Sequence, residues 1–507
     1  MRTSACVFCL FFPAVGLAQQ PLSAIDWLNQ TPPVNLPGTV LLEPPVSKSG
    51  LQPEIEVTPL EALTPPLGLV ASNVTGLPVD LWTGSDPDRL AEMIDRINVR
   101  GSPAMQTLLF TLLLSETRTP HGAEAGEAML LARLDRLMQL GAVDPTQALV
   151  QLAGPTDTKA RFQRWFDATL LTGDEDRACG ALIAAPFLSS DYADQIFCKA
   201  RLGDWQSAAL TLETAHALEL LEPEELALLD RFLSPDIFED APPLPQPQRP
   251  DALTFRLFET IGERLPTASL PRAFATADLR DVAGWKAQLE AAERLTRIGA
   301  LTPNHLLGLY TDRQAAASGG VWDRVRAVQR FETALGTGNE TAIGKALNTV
   351  WKAMQDAQLE VPFAELFADQ LAIQRFTDAE TASLAWRIRL LAGTYEDAAR
   401  KPPSNSQMHT FLAALAQGDP GRAFAPNKQA QAIADGFADG AELPDSVQRT
   451  LDNGQLGEAI LTAMDLFTRG ARGNPADLTA ALASFRFVGL EDTARRAALQ
   501  LMLLGRG

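Results

Sequence analysis

The chain has 507 residues, a formal net charge of −19, and a composition that is 46% hydrophobic and 21% charged. Such a composition is typical of folded proteins and differs from that of disordered chains. The excess of negative charge disfavours binding to nucleic acid and adsorption to anionic lipid surfaces. The length predicts about three domains, unless the chain is a repeat array, which grows by stacking.

The first residues predict export. Arg2 precedes an apolar run at residues 5–15 that is too short to span a bilayer, and small residues form a cleavage site at Ala18. We therefore expect a signal peptide, residues 1–18, cleaved after Ala18, and a periplasmic location. A retained anchor or a buried first helix is the alternative. No later stretch has the roughly 18 consecutive apolar residues that a membrane-spanning helix requires.

A proline-rich segment follows at residues 19–84. Eleven prolines between Pro21 and Pro78 remove backbone donors and disfavour helix at the residues that precede them. We expect an extended segment that lies as a strap across the protein's own helices. A docking peptide for a partner is the alternative.

Helices are expected from Asp86 onward. Asp86 can cap a helix whose first turn contains Pro87. Residues 126–140 place leucines along one helical face, and Gly141 is suited to end that helix.

The stretch GDWQSAAL, from Gly203 to Leu210, has the features of two helices that pack closely. Gly203 is suited to end one helix, and Asp204 to cap the next. Trp205 is expected to pack into the helix pair, while Ala208 lets the two helices approach. The stretch resembles the start of the second helix of a tetratricopeptide repeat, and this resemblance implies stacked helical hairpins.

The same spacing from a glycine to an alanine five residues later recurs at irregular intervals. The further pairs are Gly173/Ala178, Gly393/Ala398, Gly418/Ala423 and Gly454/Ala459. Because these intervals depart from a steady repeat length, we expect an all-α fold in the form of an irregular, tetratricopeptide-like α-solenoid.

A proline-rich acidic stretch at residues 234–250 predicts an internal boundary. We expect an N-terminal helical block at residues 85–240, a linker at 241–250 and a C-terminal helical block at 251–507.

The last helix is expected to begin after Gly489. The phrase VGLEDTAR at residues 488–495 resembles the ending of uncharacterised secreted helical proteins of alphaproteobacteria. This resemblance implies secretion and a helical fold, and it brings no activity with it.

Two of the four cysteines, Cys6 and Cys9, lie in the expected signal peptide, which leaves Cys179 and Cys198. Export favours their oxidation. They lie at equal distances from an expected turn at residues 186–190, and equidistant positions of an antiparallel hairpin lie at the same height. We therefore predict a Cys179–Cys198 disulfide, with two buried free thiols as the alternative.

Candidates for chemistry are few. His121, Glu124 and Glu127 could share part of a helical face as metal ligands, and we interpret them as a solvated helix entry. The stretch GNETAIGK at residues 338–345 departs from the phosphate-binding loop in glycine spacing, and Ala346 replaces its hydroxyl residue. We interpret it as a helix start. The sequence thus predicts no catalytic, cofactor-binding or metal-binding residues and no cofactor.

Stacked hairpins build surfaces that bind peptides and proteins without catalytic residues. We therefore expect a non-enzymatic scaffold or interaction module of the cell envelope that binds a protein or peptide partner. A peptidoglycan hydrolase that uses groove carboxylates is the alternative, since paired acids cleave glycans. A purely structural module tethered by its proline-rich N-terminus is a third hypothesis.

Overall fold

The computed structural model describes residues 65–120 and 123–505, and these residues form α-helices joined by short turns. The expected signal peptide and residues 19–64 lie outside the described residues. Two isolated bridges, Leu67 with Thr117 and Val70 with Ser115, are the extended pairings of this part of the chain, which contains no β-strand. The all-α fold class is confirmed.

The described residues form 25 α-helices. The first thirteen are α1 Ser72–Thr75, α2 Pro87–Arg96, α3 Pro103–Leu114, α4 Ala123–Leu140, α5 Val143–Leu152, α6 Lys159–Thr172, α7 Asp176–Ala184, α8 Tyr192–Arg201, α9 Trp205–Ala217, α10 Pro223–Leu233, α11 Ala252–Thr260, α12 Ala275–Asp278 and α13 Trp285–Thr296. The other twelve are α14 Pro303–Asp312, α15 Val321–Thr337, α16 Glu340–Ala357, α17 Glu360–Ala372, α18 Ala379–Arg389, α19 Tyr395–Ala399, α20 Gln407–Ala416, α21 Lys428–Gly436, α22 Asp445–Asp452, α23 Leu456–Ala471, α24 Pro475–Phe487 and α25 Glu491–Leu504. Among the helices so described, none is long and apolar enough to cross a membrane.

The helix boundaries follow the capping chemistry of the sequence. The Asp86 side chain accepts a hydrogen bond of 2.8 Å from the backbone N–H of Arg89 and so begins α2 as predicted. Gly141 follows α4 with a φ of 84°, a conformation that favours glycine. Asn339 caps α16, so GNETAIGK is a helix start, as interpreted from the sequence.

The Gly-to-Ala spacing marks close helix packing at four of its five positions. The buried alanines are Ala178, Ala208, Ala398 and Ala459, each at most 1% exposed. At Gly418 the prediction is wrong, because α20 is followed by a short 3-10 turn, Pro420–Arg422, and α21 begins only at Lys428. The Pro-Gly pair in this turn disfavours an α-helix immediately after Gly418.

The helices pack mostly against their neighbours in sequence, as in stacked hairpins, and the array then closes on itself. Helix α2 contacts α23, and α3 contacts α25. The Ala104 backbone N–H donates to Gln500 Oε1 over 2.7 Å in a buried position. The Gly457 N–H donates to the Leu81 carbonyl over 3.0 Å. Helices near the start and near the end of the described chain thus form one interface.

The core has two main hydrophobic clusters. One combines residues from 77–298 with residues from 386–501, and the other lies within 285–392. Phe232 and Phe255, on either side of the proline-rich stretch, belong to the same cluster. The boundary at 241–250 stays a prediction.

One buried arginine fixes the start of the described chain. Arg133 of α4 is 1% exposed and donates to the backbone carbonyls of Leu113 (2.8 Å), Leu67 (3.0 Å) and Ser115 (3.0 Å). Burial lowers its pKa to about 10. Leu67 therefore belongs to the helical body, although the sequence favoured an extended strap up to residue 84.

A disulfide joins α7 to α8. Cys179 and Cys198 are fully buried, with their Cα atoms 4.7 Å apart. A 3-10 turn, Pro186–Leu188, connects the two antiparallel helices at the expected place. The bridge is consistent with the predicted pairing.

Candidate functional site: a cleft beside the disulfide hairpin

An open cleft of about 560 Å³ lies beside the disulfide-bonded hairpin, between α8, α10 and α11 and the first residue of α9. Its lining residues come from four helices, α8 to α11, and from turns. They are Glu175, Phe197, Ala200, Arg201, Trp205, Phe232, Arg256, Glu259, Thr260, Arg264 and Val282. The cleft therefore depends on the stacking of successive hairpins.

One wall of the cleft is aromatic. The ring of Phe232 lies 5.8 Å from that of Phe197 and 5.9 Å from that of Trp205. Phe197 and Phe232 are buried, but Trp205 is 50% exposed. The expectation that Trp205 packs into the helix pair is wrong, because Ala208 and Leu212 fill the buried stripe of α9 and leave Trp205 at the rim. Its exposed face is available to an apolar group.

The opposite wall carries a buried ion network. Glu175 is fully buried, and its Oε1 accepts from Arg256 Nη2 over 2.9 Å. Arg201 Nε lies 3.5 Å from the same oxygen. Arg256 also donates to Glu259. Burial opposes the charge of Arg256, but Glu175 and Glu259 outweigh it and raise its pKa.

The network continues away from the cleft. Arg280 Nη2 donates to Glu259 over 2.6 Å, and Arg264 Nη2 donates to Asp278 over 2.8 Å. Burial raises the pKa of Asp278, against the hydrogen bond from Thr267 and the charge of Arg264. Acids and guanidinium groups balance one another, so the wall is polar but nearly neutral.

One atom of this network has no partner. Glu175 Oε2 is buried and accepts no hydrogen bond among the described residues. Leaving a buried acceptor unpaired is costly, and the charge of Glu175 is compensated through its other oxygen, which Arg256 binds. The cleft thus combines an exposed aromatic face with a buried network of ion pairs.

Apart from Trp205, the residues singled out from the sequence lie away from the cleft or behind it. The disulfide supports the cleft from behind, since Cys198 follows Phe197 directly in α8. Glu127 does not stand free for a metal, because it accepts from Arg161 and from Thr158. His121 lies outside the described residues. Within the described part of the chain, no group of three His, Cys, Asp or Glu residues could hold a metal ion.

Sequence reasoning missed the charged residues of the cleft. Glu175, Arg256 and Glu259 belong to no motif, and Arg256 meets Glu175 across 81 positions of the chain. Trp205 carried the one usable signal, since it is one of only 8 tryptophans and begins a helix directly after a Gly-Asp pair.

Comparisons of the chain with models of protein families, with curated proteins and with solved structures found no match.

Proposed function

We propose that the protein is a non-enzymatic interaction protein of the cell envelope, exported by cleavage after Ala18, and that its cleft binds an extended peptide segment of a protein partner. The irregular helical array is in this proposal a degenerate tetratricopeptide-like solenoid. The observation that carries the proposal is the exposed face of Trp205, which lines the same cleft as the guanidinium donors of Arg201 and Arg264.

A peptide matches both walls of the cleft. An apolar or aromatic side chain can stack on the exposed face of Trp205. Peptide carbonyls can accept from Arg201 or Arg264, whose guanidinium groups retain further donors. The near-neutral ion network suits a peptide backbone, which carries dipoles and no net charge.

The hydrolase hypothesis finds no supporting geometry in this cleft. Glu175 and Glu259 are both bound by Arg256, and Arg280 binds Glu259 as well. A glycosidase needs one carboxyl group that donates a proton and a second that faces the reacting sugar or its water. We therefore do not propose glycan cleavage.

The test is a selection of random peptides displayed on phage against the mature protein, followed by fluorescence polarisation with the selected peptides. We expect enrichment of sequences with a conserved apolar or aromatic position. Trp205→Ala should weaken their binding about 30-fold, as is usual for a tryptophan at the centre of an interface. Phe487→Ala, which truncates an aromatic residue that is 64% exposed elsewhere, is the matched control and should leave the affinity unchanged.

Two results would overturn the proposal. One is a selection that enriches no sequence, and the other is equal affinity of the selected peptides for the wild-type protein and for Trp205→Ala. The export part has its own test, since mass spectrometry of the protein from an envelope fraction should find Gln19 at the N-terminus. An intact Met1 would refute that part alone.

A further inference from the structure

A second cavity, of about 240 Å³, lies where three distant parts of the array meet. Arg100 and Gly101 come from the turn between α2 and α3, and Gln358 from the turn between α16 and α17. The third part is the region of α13, together with the 3-10 turn Arg272–Phe274. We refer to this space as the arginine cavity.

Four arginines line the arginine cavity: Arg100, Arg272, Arg294 and Arg297. Elsewhere in the described chain arginines typically pair with acids, as Arg324 does with Glu293 at 2.5 Å. None of the four lies within ion-pair distance of a carboxylate among the described residues. The chain as a whole carries a net charge of −19, so this clustering of unpaired positive charge runs against its composition.

Backbone carbonyls hold three of these side chains in place. Arg294 donates to the carbonyls of two residues, Thr267 over 2.9 Å and Leu270 over 2.6 Å. Arg297 Nε donates to Ala357 O over 2.8 Å. Arg272 Nη1 donates to Gln139 O over 3.2 Å. Each of these guanidinium groups is thus oriented by neutral acceptors and not by a carboxylate.

The fourth arginine is free to reach a ligand. The side chain of Arg100 makes no hydrogen bond with the described residues, and only its backbone N–H is bonded, to Asn98. Gly101 beside it has a φ of 76° and open space where a Cβ would lie. Helix α3 begins at Pro103 in the same lining, and its N-terminal dipole adds positive potential.

The positive charges around the arginine cavity repel one another. Burial lowers the pKa of Arg272, and the charges of neighbouring arginines lower it further. Burial and Arg297 also lower the pKa of Arg294, against the charge of Asp278. A multivalent anion in the cavity would relieve the repulsion between the guanidinium groups.

We propose that the arginine cavity binds a small oxyanion ligand that carries two or more negative charges. Guanidinium forks match the paired oxygens of phosphate and carboxylate groups, so both chemistries fit the donors. The site is separate from the cleft at Trp205 and does not depend on the peptide proposal.

The test is thermal unfolding and isothermal titration calorimetry of the mature protein with inorganic phosphate and with citrate, at constant ionic strength. We expect saturable binding of at least one of the two, and the preferred one identifies the ligand chemistry. Acetate and chloride, which carry one charge, should bind at least tenfold more weakly. Arg100→Gln should weaken binding about tenfold, since a hydrogen bond from a charged donor is lost.

Arg100→Gln is the preferred variant, because its side chain holds no other part of the fold. Arg177→Gln is the matched control, since Arg177 is exposed and unpaired among the described residues and lies outside the arginine cavity. It should bind the anion like the wild-type protein. The proposal is overturned if neither phosphate nor citrate binds saturably. Equal weakening in the two variants would also overturn it, because binding would then follow net charge and not this site.

Discussion

Asp194 makes the stability of the protein depend on pH in a predictable direction. This residue lies in the first turn of α8, is 3% exposed and accepts a hydrogen bond of 2.6 Å from Ser189 Oγ. Burial raises its pKa from 3.8 to about 7, with a further contribution from Asp191 and against the hydrogen bond from Ser189. The folded protein therefore holds a proton on Asp194 that the unfolded chain has lost above about pH 4.

The sign of the effect follows from this difference in bound protons. A carboxyl whose pKa is raised by folding stabilises the folded state fully below pH 3.8, and this stabilisation is lost as the pH rises toward 7. At about 1.4 kcal/mol per pH unit, the free energy of unfolding should fall by about 2–3 kcal/mol between pH 5 and pH 8. Asp167, whose pKa burial raises to about 6, adds a smaller loss of the same sign.

Asp194→Asn isolates the contribution of this one residue, because asparagine resembles the protonated carboxyl and does not ionise. Urea unfolding should find the variant more stable than the wild type by about 1–2 kcal/mol at pH 5, because the unfolded wild type is already ionised there. At pH 8 this difference should be larger by a further amount of about 2–3 kcal/mol. Asp439→Asn makes the same change of charge at an exposed position and should leave the wild-type pH dependence intact. A pH dependence equally steep in Asp194→Asn and wild type would refute the reasoning.

Three further predictions concern the packing of the array. Replacing Cys179 and Cys198 by alanine should lower the free energy of unfolding by about 3 kcal/mol in chemical denaturation. A reducing agent should destabilise the wild type and leave the variant unchanged. Equal effects of the reducing agent on the two proteins would contradict a formed bridge. Arg133→Met leaves three backbone carbonyls without their donor, so the free energy of unfolding should fall by about 3 kcal/mol or more in the same assay. A fall of less than about 1 kcal/mol would contradict the role of Arg133. Gly457→Ala places a Cβ 2.3 Å from the ring of Trp82, so the segment around Trp82 must shift. Limited proteolysis should therefore cut near Trp82 faster in the variant than in the wild type. Unchanged cleavage would contradict this contact.

The sequence predicts local helix chemistry well, because caps and apolar stripes act within a few residues. Asp86 and Asn339 begin helices where expected, and the last helix, α25, begins after Gly489 as predicted. The exception at Gly418 has a local cause too, since a Pro-Gly pair follows it and competes with the helix.

The candidate site was harder to predict, because its parts are distant in sequence. Glu175 and Arg256 meet only when α11 packs against α6 and so brings Arg256 to the turn before α7, and no spacing in the chain encodes that meeting. The arginine cavity depends in the same way on turns near residues 101, 272 and 358. For Trp205 the sequence pattern identified the residue but did not predict that half of its side chain is exposed.

The contact between helices near the two ends of the described array changes how the array can unfold. In an open stack of hairpins each end helix has one neighbour, and it frays with a small free energy while the middle stays intact. Here α25 packs against α3 and α23 packs against α2, so neither end of the described helical array is free. Amide protons in α25 should therefore exchange as slowly as those of central helices, through openings that engage both ends of the chain together. The array should therefore unfold cooperatively, and not by fraying from one end as an open solenoid does.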